Sequence, residues 1–224
     1  MQQTPVHEDS NPDLLGVMPL HARRIVEIGC SSGALARDYK LRNPGCWYLG
    51  CDIDASYVDL ARRHCDEVKV LDIDQAPENF YSMGADVWVF GDTLEHMKDP
   101  WAVLRRVRES MQPGGVVVAC IPNAQHWSVQ VRLNVGEFRY EASGLLDRTH
   151  LRWFTRKTIL QMFAEAGFAV DALIPRVFVE PGYDVVAPVI EELAEVSGAD
   201  PREAVLDARP LQYVIRATVP SGAS

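Results

Sequence analysis

Cationic side chains are scarce in this chain: 22 Lys and Arg stand against 31 Asp and Glu, a formal charge of −9. That balance disfavours a nucleic-acid partner, because neutralising phosphates needs a basic surface. The one local basic cluster, Arg105, Arg106 and Arg108, falls on the polar side of a helical pattern. Long apolar runs are missing too. None approaches the ~18 residues of a membrane-spanning helix, and no signal peptide or lipidation motif is present, so the expectation is a cytoplasmic chain without membrane insertion. The cysteines (Cys30, Cys46, Cys51, Cys65 and Cys120) are odd in number and form no C-x-x-C pair. In apolar runs they read as small buried hydrophobes of a reduced compartment, not as a disulfide framework. There is no internal repeat and no low-complexity tract. A length of 224 residues with 47% hydrophobic content suits one α/β domain over residues 1–224, with residues 1–12 and the last five loose.

The dinucleotide fingerprint is absent as well. Residues 25–33, IVEIGCSSG, run from a β-branched strand pattern through Glu27 into Gly29, Cys30, Ser31 and Gly33, ahead of a helical pattern. Strand, tight loop and helix in that order place backbone N–H groups at the mouth of a parallel sheet, where they can cradle a nucleotide-containing ligand. A G-x-G-x-x-G motif would need glycine where Ser31 and Ala34 stand, so the backbone cannot approach a pyrophosphate as closely, which argues against a nicotinamide-dependent oxidoreductase. Residues 48–54, YLGCDID, end a second apolar run. They place Asp52, with Ile53 beside it, about twenty residues past Gly29, where such sheets hold ribose hydroxyls. Asp54 caps a helical pattern over 55–65. A third strand over 68–72 ends at Asp72 and is followed by Ile73. A fourth over 85–91 ends at Gly91 and runs into Asp92, Glu95 and His96. Asp99 and Pro100 start a helix whose Trp101, Leu104, Val107 and Met111 share one face. Pro113-Gly114-Gly115 stops it and feeds a fifth strand over 116–121.

In series, EIGCSSG, the acidic strand ends, the LEH…DP segment and the helix–PGG–strand unit resemble the class I S-adenosylmethionine-dependent methyltransferases. The resemblance covers about residues 10–170. It implies an α/β, Rossmann-like sheet of about seven strands with helices on both faces. Strands six and seven would lie over 168–174 and 211–219, the last antiparallel and inserted between strands five and six. It implies S-adenosyl-L-methionine as cofactor and S-adenosyl-L-homocysteine as product. Glu27, Gly29, Cys30, Ser31, Gly33, Asp52, Ile53, Asp72, Ile73 and Gly91 would surround the cofactor, Asp72 at the adenine amino group and Ile73 against the ring. Read without the resemblance, Asp52 and Asp72 are also ordinary turn residues at strand ends.

Residues 122–155 are long for a connection, and long connections of ordered composition are usually functional. Their stretch GLLDRTHLRWFT resembles a segment of methyltransferases of the type 11, 12 and 23 groups associated with polysaccharide and O-antigen assembly. It implies a lid over a small-molecule or glycan-linked acceptor. Methyl transfer is an in-line displacement that needs the acceptor held ~3–3.5 Å from the methyl, and a hydroxyl acceptor must also lose its proton. Histidine suits that step near neutral pH. His150 is the first candidate, His126 and His96 follow, and Asp92 could orient a histidine or take the proton. The alternative for His150 is a structural one, with Asp147, Arg148 and Arg152 forming an ionic latch. Asp92-x-x-Glu95-His96 resembles an E-x-x-E-H arrangement that holds a divalent ion in some methyltransferases. Aspartate shortens its reach, and LEH is common in metal-free members, so no metal ligand is assigned.

Thr155 caps a helix with Ile159, Leu160, Phe163 and Ala166 on one side, ended by Gly167. Within a helical insertion over 181–209, Val185, Val186, Val189, Ile190 and Leu193 form a stripe expected to pack on the core. A dimer or acceptor surface is its alternative. Asn11 to Leu15 reads as a lid over the cofactor. The enzyme reading has one rival of another class, a cofactor-binding sensor or complex partner without turnover.

Overall fold

Parallel strands buried on both faces read as continuous apolar runs, and the central strands of this chain do so. The computed structural model describes residues 8–221. In chain order the elements are α1 (Pro12–Val17), β1 (Arg24–Ile28), α2 (Ala34–Arg42), β2 (Trp47–Asp52), α3 (Ala55–Ala61), β3 (Glu67–Val70), α4 (Glu78–Tyr81) and β4 (Val87–Gly91). Then follow α5 (Pro100–Ser110), β5 (Val116–Pro122), α6 (Trp127–Asn134), α7 (Arg156–Glu165), β6 (Ala169–Arg176), α8 (Tyr183–Ser197), α9 (Pro201–Asp207) and β7 (Gln212–Thr218). The strands form one sheet in the order β3-β2-β1-β4-β5-β7-β6. β1 to β5 pair in parallel, and β7 is antiparallel to both β5 and β6. This is the Rossmann-like methyltransferase sheet implied by the sequence, with its last strand inserted as expected.

The strand order reverses between β1 and β4. From there the chain winds outward to β2 and β3 on one side and to β5 on the other. The loops leaving those two strands therefore part and open a cleft at their C-terminal ends, the usual ligand position in such sheets. One face of the sheet buries Val26, Leu49, Trp88 and Phe90 against Leu104, Val107 and Phe163. The other buries Ile25, Tyr48 and Val89 against Leu14, Leu35 and Tyr39. Local signals start the helices where the sequence places them. The Asp99 carboxylate accepts from Ala102 N at 2.9 Å, and Thr155 with Thr158 makes a reciprocal capping box.

Several expectations change on the structure. β3 ends at Val70, and Asp72 caps a short 3-10 turn over Ile73–Gln75. α3 stops at Ala61, four residues early. The inner side of α7 is Ile159, Met162 and Phe163, with Leu160 only half-buried. Asn11 is not loose: its side chain caps α1 by accepting from Asp13 N and Leu14 N. Leu14 and Leu15 are buried in the core instead of lying over the first loop as a lid. The stripe on α8 largely faces outward. Val185, Val189 and Leu193 are 79%, 53% and 51% exposed, and Ile190 with Ala194 is what packs inward. Residues 1–7 and 222–224, expected to be loose, lie outside the described residues. The five cysteines are free, and all but Cys65 are buried. No helix among the described residues is long and apolar enough to cross a membrane.

Candidate active site

The loop after β1 is shaped by its backbone. Gly29 and Gly33 have φ of +78°, and Ser31 has φ of +47° despite its side chain. Gly29 N and Cys30 N both donate to Cys51 O, at 2.8 and 3.0 Å, which ties the loop to the end of β2. Asp52 completes the tie: its carboxylate accepts from Ser31 N and Asp54 N, each at 3.0 Å. Asp52 is only 7% exposed. Burial raises its pKa, against the lowering effect of those backbone hydrogen bonds. Beneath it, Glu27 is 4% exposed and accepts from Tyr48 Oη at 3.0 Å. Ile53 is 54% exposed beside Asp52, whereas Ile73 is buried in the core and Asp72 is occupied by its own capped turn. Cys30 is buried, and burial pushes its thiol well above the usual range.

The other bank of the cleft follows β4. Gly91 leads into Asp92, whose φ of +50° turns the chain sharply, a conformation aspartate tolerates better than most residues. Asp92 Oδ1 accepts from Gln212 of β7, and Gln212 in turn accepts from Arg176. Arg176 also pairs with Asp13 of α1 at 2.8 Å. Residues far apart in the chain thus converge on one strand tip. Leu94–His96 is a 3-10 turn in place of a full helical face, and it buries Glu95 to 1% exposure. The 122–155 segment docks on this turn: Leu151 N and Arg152 N both donate to Glu95 O, at 2.8 and 3.0 Å. That brings His150 beside His96, with ring centroids 4.8 Å apart.

Each imidazole Nε2 of that pair lies 4.0 Å from Glu95 Oε1. Burial lowers both histidines, His150 to about 4, and raises Glu95 well above the ordinary carboxylate range. His126 is not part of this group. It caps α6 through Ser128 and lies 3.9 Å from Glu180, with burial taking its pKa to about 4. The latch around His150 runs through main-chain oxygens: Arg148 donates to Glu141 O and Arg152 to Lys98 O. Asp147 accepts from Thr149 N and Thr149 Oγ1. Of the expected catalytic residues, the fold therefore brings His96 and His150 together. It joins to them Glu95, named in the sequence only within the Asp92-x-x-Glu95-His96 resemblance and given no role there.

A family model described as a methyltransferase domain matches residues 10–173. The chain is a class I S-adenosylmethionine-dependent methyltransferase. It is 30% identical over 173 residues to a protein named ubiquinone biosynthesis O-methyltransferase from Azorhizobium caulinodans, covering 74% of this chain and 66% of that one. A protein of the same name from Cereibacter sphaeroides is 29% identical over 116 residues, covering 50% of this chain and 46% of the relative. The methyltransferase thus spans from about half to two thirds of the length of these relatives. Among solved structures, an S-adenosylmethionine-dependent methyltransferase from Mesorhizobium loti superposes with a TM-score of 0.60 at 20% identity, over 92% of this chain and 96% of that one, a likeness of fold.

The cofactor of this methyltransferase is S-adenosyl-L-methionine, and the donor set fits it. The strand tips carry Asp52, Asp72 and Asp92, with Glu27 beneath, and no lysine or arginine lies in residues 29–33, 52–54, 72–75 or 91–95. An acidic mouth suits a sulfonium cation and opposes a dianionic pyrophosphate. Glu27 makes a checkable prediction. Burial raises its pKa to about 8 against the Tyr48 hydrogen bond, with Asp52 adding to the rise. In the ligand-free protein the group is thus neutral where the unfolded chain is ionised, between about 4.5 and 8. The folded state binds the extra proton, so this contribution to stability is full below that window and is lost as pH rises through it. Urea unfolding across the window should show wild type losing stability more steeply than Glu27→Gln, and equal slopes would refute the assignment.

Proposed function

We propose that this methyltransferase transfers the methyl of S-adenosyl-L-methionine to a hydroxyl oxygen of a small-molecule acceptor. When bound, the cofactor supplies a methyl already activated on a sulfonium. What is left to the protein is to seat the acceptor in line and to help its proton leave. The observation that carries the reading is the group of Glu95, His96 and His150 on the β4 bank of the cleft, opposite the cofactor loop. A hydroxyl that reaches the imidazole Nε2 atoms meets proton acceptors there, with the Glu95 carboxyl group facing the same two atoms. His150 sits on the docked segment 122–155, so closing that segment over the acceptor and supplying a proton acceptor are one event. Asp92, held by Gln212, fixes the turn that presents Glu95 and His96.

Phenolic and sugar hydroxyls both belong to this acceptor class. The curated relatives carry ubiquinone biosynthesis in their names, which supports phenols first. The glycan-linked acceptor rests on the resemblance of segment 122–155 alone. The test is incubation with methyl-labelled cofactor and a panel of catechols, simple phenols, nucleotide sugars and amines. Label is expected on oxygen, in the phenolic members. Tight cofactor binding with no transfer to any hydroxyl compound would favour a sensor without turnover, and transfer to amines alone would overturn the O-methylation reading.

A further inference from the structure

Among the described residues, Glu95 is the one whose two buried carboxylate oxygens both go unpaired. Its side chain is 2% exposed, and among the described residues neither carboxylate oxygen has a hydrogen-bond partner. Leaving a buried polar group unpaired costs about 1–3 kcal/mol, and more for a charged one. The nearest groups are the two Nε2 atoms at 4.0 Å, beyond hydrogen-bond range. Neither of those nitrogens is a donor. His96 Nδ1 lies 3.2 Å from Thr149 O, and His150 Nδ1 lies 3.3 Å from Leu145 O. A carbonyl oxygen only accepts, so each ring carries its proton on Nδ1 and turns a bare lone pair on Nε2 toward Glu95. Thr149 Oγ1, 3.1 Å from His96 Nδ1, gives its own hydrogen to Asp147 at 2.6 Å and so supports the same tautomer. One donor atom each from Glu95, His96 and His150 falls within 4.8 Å of the others. The result is a buried point ringed by a carboxylate and two lone pairs, with no hydrogen to share. A proton on Glu95 could serve at most one of the three.

We propose that Glu95, His96 and His150 hold a divalent first-row transition ion such as Zn²⁺, Co²⁺ or Mn²⁺. Imidazole nitrogens with one carboxylate favour these ions, whereas Mg²⁺ and Ca²⁺ prefer all-oxygen shells. Backbone carbonyls on both Nδ1 atoms are the outer contacts that orient ligating histidines. Ion–ligand bonds of about 2.0–2.2 Å require the donor atoms to draw inward by roughly an ångström, which the 28% exposed His96 side chain leaves room for. Asp92 is outside the set. Three protein ligands leave a coordination position open. On the O-methylation reading, that position would receive the acceptor oxygen and lower its pKa, so that the hydroxyl proton passes to solvent water as the methyl moves from sulfur to oxygen, and His150 would act as ligand instead of proton acceptor. The ion also joins segment 122–155 to the β4 tip.

The experiment is a titration of untagged, chelator-stripped full chain with Co²⁺, read by visible absorption and by calorimetry. One ion per chain is expected, with the absorption of nitrogen–oxygen coordination. Glu95→Gln and His150→Ala should each weaken binding at least tenfold, while His21→Ala, an exposed histidine elsewhere, should not. Absence of stoichiometric binding to wild type overturns the proposal whether or not the variants fold. So does binding that survives both substitutions in the folded variants. The two readings fail separately. Methyl transfer to hydroxyls at full rate by ion-free protein removes the ion's role in the reaction and spares O-methylation. A bound ion without transfer to any hydroxyl keeps the site and sinks O-methylation.

Discussion

Replacing His150 by alanine is expected to slow methyl transfer about 10²- to 10⁴-fold, the usual worth of a positioned proton acceptor, and to leave cofactor affinity unchanged. His150 is on the docked segment, against Glu95 and His96, with its Nδ1 at Leu145 O. Asp52→Ala should do the reverse. Its carboxylate holds Ser31 N and Asp54 N, and losing a charge-assisted hydrogen bond costs about 1.5–3 kcal/mol, or on the order of tenfold to a hundredfold in cofactor affinity. Cofactor calorimetry and single-turnover transfer on both variants give the crossed result directly. His150 is 7% exposed, so the melting temperature must first show that the alanine variant is folded. Wild-type transfer by folded His150→Ala would remove this residue from the reaction. The rate loss itself is expected whether the imidazole takes the proton or holds an ion; added Co²⁺ or a chelator tells the two apart in wild type.

Gly29→Ala is expected to damage both banks of the cleft at once. At φ of +78° a non-glycine residue costs about 1–3 kcal/mol in the backbone alone. A β-carbon there would also stand 2.5 Å from Thr93 Oγ1 and 3.1 Å from Thr93 Cγ2. Thr93 cannot give way freely, because its hydroxyl lies 3.0 Å from Ile28 O and 2.9 Å from Gly91 O and so bridges the tips of β1 and β4. Moving it shifts the cofactor loop and the turn that carries Glu95 together. Cofactor affinity should fall at least about tenfold, with a lowered melting temperature. Gly84→Ala is the control: its φ is +66°, and a β-carbon there meets nothing within 4 Å, so it carries backbone strain without the clash. If Gly29→Ala binds cofactor and melts as Gly84→Ala does, the Thr93 bridge does not matter.

The loop after β1 and the acidic end of β2 are legible in the sequence because they are built from local signals. A β-branched run, a glycine turn and an acidic strand end each act within a few residues, and repetition at βαβ spacing sets the sheet order and the mouth. Asp52 could be placed for that reason. Ile73, expected against the adenine ring, packs in the core at the start of the 3-10 turn that Asp72 caps. The α8 stripe illustrates the same limit. Helical spacing identifies an apolar face, but which residues of it find a partner depends on the helix's angle to the sheet.

Taken alone, the order of residues was enough for the fold, the cofactor and the chemistry of methyl transfer, since each follows from contacts between neighbours in the chain or between consecutive strands. The grouping of Glu95, His96 and His150 was decided only when the chain closed on itself. Glu95 and His150 are separated by more than fifty residues, and Asp92 is held by Gln212 from the last strand. Contacts at that separation leave no periodicity to read: they arise because the backbone of segment 122–155 finds Glu95 O, and that hydrogen bond exists only in the folded molecule.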